Sequence, residues 1–202
     1  MSNPKDITGL ILVGGKSRRM GFNKALIELT PSGPTVIQTV ADKLKDVCPE
    51  VILVGSQLEP YRFLNLPQVP DEFPNTGSLG GIYSGLKSAR TDYALVVACD
   101  MPFLNTELLK YMISLPRDYD VLIPVLDEPE PMHAIYSKRC IPWIAQSIES
   151  GSYRIIGWFD RAKVKYIPKE TIARFDSDFM SFFNMNTPEE LEFAKSYMNR
   201  KI

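Results

Sequence analysis

An α/β fold built on a mainly parallel central sheet is what this chain predicts, and two observations carry it. Short runs rich in β-branched or large apolar residues recur at 7–13, 51–54, 93–98 and 121–124, as in strands buried on both faces. Between them, segments 35–45, 81–89 and 106–114 place apolar residues three and four apart, the spacing of helices with one buried face. Strand and helix in alternation read as βαβ units around a parallel sheet.

The first strand, 7–13, ends at Gly14-Gly15, and the helix at 35–45 leads into the second strand at 51–54. The stretch 60–77 holds several prolines and reads as a loop at the sheet rim. Helix 81–89 then precedes strand 93–98, which Asp100 and Pro102 bring to an end, and helix 106–114 precedes strand 121–124. The later part is less regular, with a strand at 132–136, a helix at 141–150 and a strand at 164–168. A final helix has clear start signals: Thr187 as N-cap, Pro188 at the first helical position, and Glu189 and Glu190 favouring the positive end of its dipole. There is no internal repeat, low-complexity tract or linker, so residues 1–202 are expected to form one domain.

Composition narrows the function. Of 202 residues, 45% are hydrophobic and 23% charged, enough for one sizeable core. The formal net charge of -1 offers no general basic field for nucleic acid, so a basic loop marks a local site for a small anion. No apolar run approaches the roughly 20 residues of a membrane span, and the start lacks the core of a signal peptide, which points to the cytoplasm. Three cysteines, Cys48, Cys99 and Cys140, are far apart and form no CxxC pair, so they read as packing residues in a reduced compartment. With His133 as the only histidine, multi-histidine metal sites are excluded and any metal must be held by oxygen.

Ligands of open parallel sheets bind at the carboxyl ends of the strands. The stretch "LILVGGKSRRMGFNKALIEL" lies there: two glycines let the backbone approach a ligand with its N–H groups inward, and Arg19 and Lys24 can neutralise phosphate oxygens. It is neither a Walker A loop nor a GxGxxG fingerprint. The alternative is a tight turn followed by a solvated cationic face. In "YALVVACDMPFL", Asp100 follows a strand at the same rim, where a carboxylate backed by phosphate oxygens and water can hold Mg²⁺. Its alternative role is to cap the helix near Asn105, a task Asn105 or Thr106 could perform instead.

Together these residues carry a family resemblance. "LVGGKSRRMGFNKAL" resembles the LxGGxSxRMGxxKxL signature of the molybdenum cofactor guanylyltransferases, within the wider group of nucleotidyltransferases, with Gly14, Gly15, Ser17, Arg19, Met20, Gly21, Lys24 and Leu26 in register. "VPDEFPNTGSLGGIYSGL", "CDMPFL", "EPMHAIYS" and "FFNMNTPEEL" are similar to further segments of that family in the same order, so the resemblance spans nearly the whole chain. It implies a three-layer, Rossmann-like nucleotidyltransferase fold with a mainly parallel central sheet.

The resemblance also implies roles. The backbone at Leu12, Val13, Gly14 and Gly15 would contact the guanine nucleotide, Lys24 and Arg19 its phosphates, Asp71 the nucleoside end, and Asp100 both Mg²⁺ and phosphate. Asn184 and Asn186 would face molybdopterin or the metal from the far side of the cleft. Two positions depart from the family: Ser78 stands where many relatives have proline, and Gly55, at the end of the second strand and counted among the GTP-binding residues, stands where an asparagine side chain can reach the nucleotide. The implied substrates are GTP and molybdopterin, with transient contacts to other molybdenum cofactor biosynthesis proteins or apo-molybdoenzyme chaperones.

The implied reaction is attack of the molybdopterin terminal phosphate on the α-phosphorus of GTP, with loss of pyrophosphate and formation of molybdopterin guanine dinucleotide. An already ionised phosphate needs no strong base, so catalysis rests on alignment and charge neutralisation by Arg19, Lys24 and Asp100. The "LVGG" and "NMNTPE" segments favour guanine over cytosine by the same resemblance. Cytidylyl transfer to molybdopterin or a sugar phosphate, and a non-catalytic nucleotide-binding regulator, are the alternatives. Among single residues, His133 reads as a strand residue with a hydrogen-bond partner, and Trp143, Trp158 and Phe159 as either pterin-stacking or core residues.

Overall fold

The computed structural model describes residues 7–14 and 23–200. Seven strands form one sheet in the order β3-β2-β1-β4-β6-β5-β7. They are β1 (Thr8–Val13), β2 (Glu50–Gly55), β3 (Gln68–Pro70), β4 (Tyr93–Ala98), β5 (Val121–Pro124), β6 (His133–Ser137) and β7 (Val164–Ile167). The helices are α1 (Val36–Lys45), α2 (Ser78–Ser88), α3 (Thr106–Ser114), α4 (Ile141–Glu149), α5 (Lys169–Ile172) and α6 (Pro188–Asn199). Every pairing is parallel except those of β6, which runs antiparallel to both β4 and β5.

The expected three layers are present because alternate residues of the central strands point to opposite faces. Ile11 and Val13 of β1 pack with Ile37, Val40 and Leu44 of α1 and Leu108, Leu109 and Met112 of α3. Leu10 and Leu12 pack on the other face with Leu79, Ile82 and Leu86 of α2 and Ile144 and Ile148 of α4. Each such leucine or isoleucine removed from water contributes about 1.5–3 kcal/mol, so the strand alternation alone anchors both helical layers.

Three local differences from the sequence reading have physical causes. Within 60–77, a 3₁₀ turn (Glu59–Leu64) precedes β3, whose three residues follow Pro67, end on Pro70 and pair with β2 only; an edge tolerates proline because one side of the strand needs no donor. Helix α2 begins at Ser78, earlier than apolar spacing suggests, since Ser78 and Gly80 add no apolar positions to its first turn. Its N-cap is Gly77, at φ +68°, a conformation open to glycine at little cost. The direction of β6 follows from its connection to β5, made through the turn around 125–132 rather than a helical crossover.

This topology fixes the site. From β1 the chain crosses through α1 to β2 on one side, whereas α2 leads to β4 on the other. The order therefore reverses between β1 and β4, and their carboxyl ends, Val13-Gly14 and Cys99-Asp100, emerge side by side.

Candidate active site

At the carboxyl end of β1, Leu12 and Val13 are buried within the ladder, and the Leu12 carbonyl accepts the Cys99 N–H at 3.2 Å. Gly14 is exposed, and among the described residues nothing lies within 4 Å of where its Cβ would stand. Gly15 and Arg19, with Lys16, Ser17, Arg18, Met20 and Gly21, lie outside the described residues.

Lys24 opens a 3₁₀ turn (Lys24–Leu26) capped by Asn23, whose side chain accepts the Ala25 N–H at 3.2 Å and also bonds the Tyr61 hydroxyl. The Lys24 side chain is only 9% exposed, so its ammonium requires partners other than water. It donates to the backbone carbonyl of Asn186 at 2.5 Å. Two residues named from the sequence thus meet across a separation of 162 positions.

Asp100 stands next to them. Its backbone carbonyl accepts the Met185 N–H at 3.2 Å, which ties the end of β4 to the segment before α6. Burial pushes its carboxyl above the ordinary aspartate value, the Lys24 ammonium pulls it down, and the Glu190 carboxylate pushes it up. The alternative task of capping α3 belongs to Asn105, which accepts the N–H groups of Glu107 and Leu108, each at 3.0 Å. Asp100 is therefore left for another use. Among the described residues no group of three or more His, Cys, Asp or Glu side chains gathers as a metal cage. A desolvated carboxylate with a second acid in electrostatic reach nonetheless suits Mg²⁺, which takes one or two protein carboxylates and fills its other positions with phosphate and water.

Asn184 and Asn186 lie on a strap between a 3₁₀ turn (Met180–Phe182) and α6. Asn184 turns its amide toward the Phe182 carbonyl at 3.4 Å, and Asn186 contributes its backbone to Lys24. The strap is pinned from below: Ser181 accepts the Asn105 N–H at 2.8 Å, Asp176 accepts the Ser181 N–H at 2.7 Å, and the Phe182 ring lies 4.6 Å from that of His133. Glu190 closes a capping box with Thr187 and also accepts the N–H of Asn186. The sequence reading gave Glu190 only a part in the helix dipole, although the T-x-x-E pattern at 187–190 was its signal.

Asp71 lies on the β2 side. Its N–H bonds the Gly55 carbonyl at 3.1 Å, and its Oδ1 accepts from Phe73 N at 2.9 Å and faces the Ser84 hydroxyl at 3.4 Å. One carboxylate oxygen thus fastens the loop into α2. Gly55 answers the question raised by its departure from the family: a Cβ there would stand 1.9 Å from the Val13 carbonyl oxygen. The position admits no side chain while β1 and β2 keep this register, and its carbonyl serves to seat Asp71.

His133 is fully buried on β6, and neither ring nitrogen has a hydrogen-bond partner. The expected partner is absent: the Ser181 backbone is near enough to favour protonation without closing a bond of ordinary geometry, and burial prevails, bringing the pKa down to about 4. A neutral, enclosed imidazole is a packing group. Burial likewise pushes the thiols of Cys48, Cys99 and Cys140 up to about 12, which leaves them protonated at neutral pH. Trp158 is wholly buried against Phe159 and beneath Trp143, so it belongs to the core.

Comparison with known proteins identifies the family. The family described as the MobA-like NTP transferase domain matches residues 9–164. A protein of Pelotomaculum thermopropionicum described as a probable molybdenum cofactor guanylyltransferase is 40% identical over 189 residues, covering 93% of this chain and 91% of that one. The molybdenum cofactor guanylyltransferase of Desulfosudis oleivorans is 39% identical over 193 residues, covering 94% and 95%. Among solved structures, molybdopterin-guanine dinucleotide biosynthesis protein A from Archaeoglobus fulgidus superposes with a TM-score of 0.82 at 29% identity, covering 96% of this chain and 99% of that one.

Proposed function

The chain belongs to the family of MobA-like NTP transferase domains, and on that premise we propose that it is a molybdenum cofactor guanylyltransferase. It transfers GMP from GTP to the terminal phosphate of molybdopterin, forming molybdopterin guanine dinucleotide and releasing pyrophosphate. The observation that carries this reading is the meeting of Lys24, Asp100 and the Asn184–Asn186 strap at the reversal point between β1 and β4.

Each residue then has a task. Open backbone at Gly14 admits the nucleotide, and Lys24, with Arg19, takes the triphosphate. Asp71 keeps one oxygen for the nucleoside while the other holds the α2 loop. Asn184 and Asn186 face the molybdopterin side. Asp100 would hold Mg²⁺, which when bound neutralises phosphate charge and helps align the displacement. The attacking phosphate is already ionised, so the chain need supply no general base, consistent with a histidine locked in the core. Residues 1–202 act as one nucleotidyltransferase domain in the cytoplasm, with transient contacts to molybdenum cofactor biosynthesis proteins or apo-molybdoenzyme chaperones. No helix among the described residues is long and apolar enough to cross a membrane.

The decisive assay supplies purified chain with Mg²⁺, molybdopterin and either GTP or CTP, and measures pyrophosphate and dinucleotide. Product with GTP well above that with CTP is expected. Preference for CTP would replace guanylyl by cytidylyl transfer, and binding without pyrophosphate release would leave a nucleotide-binding regulator.

A further inference from the structure

The Lys24 ammonium sits at the end of a flexible four-carbon stem, and holding it in one place costs side-chain entropy. Its carbonyl partner is therefore as important as the charge itself. That carbonyl belongs to the peptide between Asn186 and Thr187, and the N–H of the same peptide donates to Glu190 Oε2 at 2.8 Å. The preceding N–H, of Asn186, donates to the same oxygen at 2.5 Å. One peptide unit is thus clamped between an ammonium and a carboxylate. A carboxylate on its N–H polarises the unit and strengthens its carbonyl as an acceptor.

A capping box needs only the bond from the N-cap N–H to the third helical residue and the reciprocal bond from Glu190 N to the Thr187 hydroxyl, here 3.2 Å. The added bond from Asn186 and the link to Lys24 exceed what helix capping requires. We propose that Glu190 is a positioning residue for Lys24: it fixes the 186–187 peptide so that its carbonyl holds the ammonium beside Asp100, ready for the triphosphate. This rests on the reading of Lys24 as a phosphate ligand. The carbonyl occupies one of three ammonium donors, so the hold on the strap and the grip on phosphate are compatible.

The test separates positioning from capping. GTP and inorganic tripolyphosphate binding are measured by calorimetry, and melting alongside, for the parent chain and for Glu190→Ala, Glu190→Gln, Thr187→Ala, Lys24→Ala and the Lys24→Ala/Glu190→Ala double variant. Glu190→Ala should weaken both ligands about tenfold, and Glu190→Gln, which still accepts N–H groups, should recover most of that. Thr187→Ala should melt as low as Glu190→Ala yet bind within about twofold of the parent. In the Lys24→Ala background the loss of Glu190 should change affinity less than about twofold, because the two act through one path. Parent-like binding by Glu190→Ala overturns the proposal, as does an undiminished loss in the double variant or an equal loss in Thr187→Ala. A parent chain that binds GTP but transfers nothing overturns the proposed function alone. One that binds neither ligand overturns both.

Discussion

The two walls of the cleft are made by opposite means. Along β1, β2 and α2 the wall is shaped by side chains that are missing: a Cβ at Gly55 would strike the Val13 carbonyl, and one at Gly80 would stand 2.4 Å from the Thr76 hydroxyl and 2.8 Å from Asp71 Oδ1. At Gly85 a Cβ would meet Leu10 at 2.6 Å, so α2 rests close against the sheet. Across the cleft, the strap between Met180–Phe182 and α6 is held by side chains that bond backbone: Ser181 and Lys24 reach the distant backbone of Asn105 and Asn186, and Glu190 grips the strap's own N–H groups. The first wall is rigid because nothing else fits. The second is in place because several polar bonds agree, and it can be loosened one bond at a time.

The contrast breaks most clearly at Asp100, which follows Cys99, bonded to Leu12 of β1, and itself bonds Met185 of the strap. Asp100→Ala should lower Mg²⁺-dependent turnover by about 10³-fold, the scale of removing one group that stabilises transition-state charge, with melting little changed. Turnover near the parent level would remove Asp100 from the catalytic machinery. The strap side is tested next through His133, which packs under Phe182. Its pKa falls from 6.5 to about 4 on burial, so the unfolded chain binds the extra proton between those values. The associated stability is complete above about pH 6.5 and is lost as pH falls toward 4, amounting to about 3 kcal/mol. Melting curves of the parent and of His133→Gln between pH 7 and pH 4.5 should converge as the medium is acidified. Parallel curves would mean that the imidazole titrates normally. The glycine wall gives the smallest effect: Gly55→Ala should destabilise by about 3 kcal/mol, because its Cβ must displace the Val13 backbone and not a pliable side chain, with the loss of nucleotide affinity following the loss of stability. Loss of GTP binding in a chain that melts like the parent would instead make Gly55 a direct nucleotide contact.

The same contrast explains what could be read from the residues alone. The central strands and α1, α3 and α4 were legible because burial on two faces, or on one, leaves a period in the apolar residues. Strand β3 was not, since three residues that follow one proline and end on another carry no period, and its pairing with β2 is a tertiary event. The glycine wall was visible as glycines at strand ends; Gly55 was counted with the nucleotide-binding residues, and its steric fit against Val13 of β1 appears only in the fold. The strap was visible only as a motif. Its bonds to Lys24, Asp100 and Asn105 join distant segments, and no local spacing encodes them. Glu190 shows the limit well: its box with Thr187 was written in four consecutive residues, while its hold on the Lys24 partner needed the fold.

The bond from Lys24 to Asn186 closes the longest hydrogen-bonded loop described above, and loops of that size form late because their closure entropy must be met before the contact returns anything. The ends of β1, β4 and α3 have to exist before the strap can dock on them. A refolding chain should therefore regain its ellipticity before its affinity for nucleotide, and GTP, by binding only the closed form, should draw that last step to completion by mass action. Stopped-flow refolding with a fluorescent GTP analogue would show the binding signal trailing the far-ultraviolet signal; coincident signals would mean that strap and sheet form as one unit.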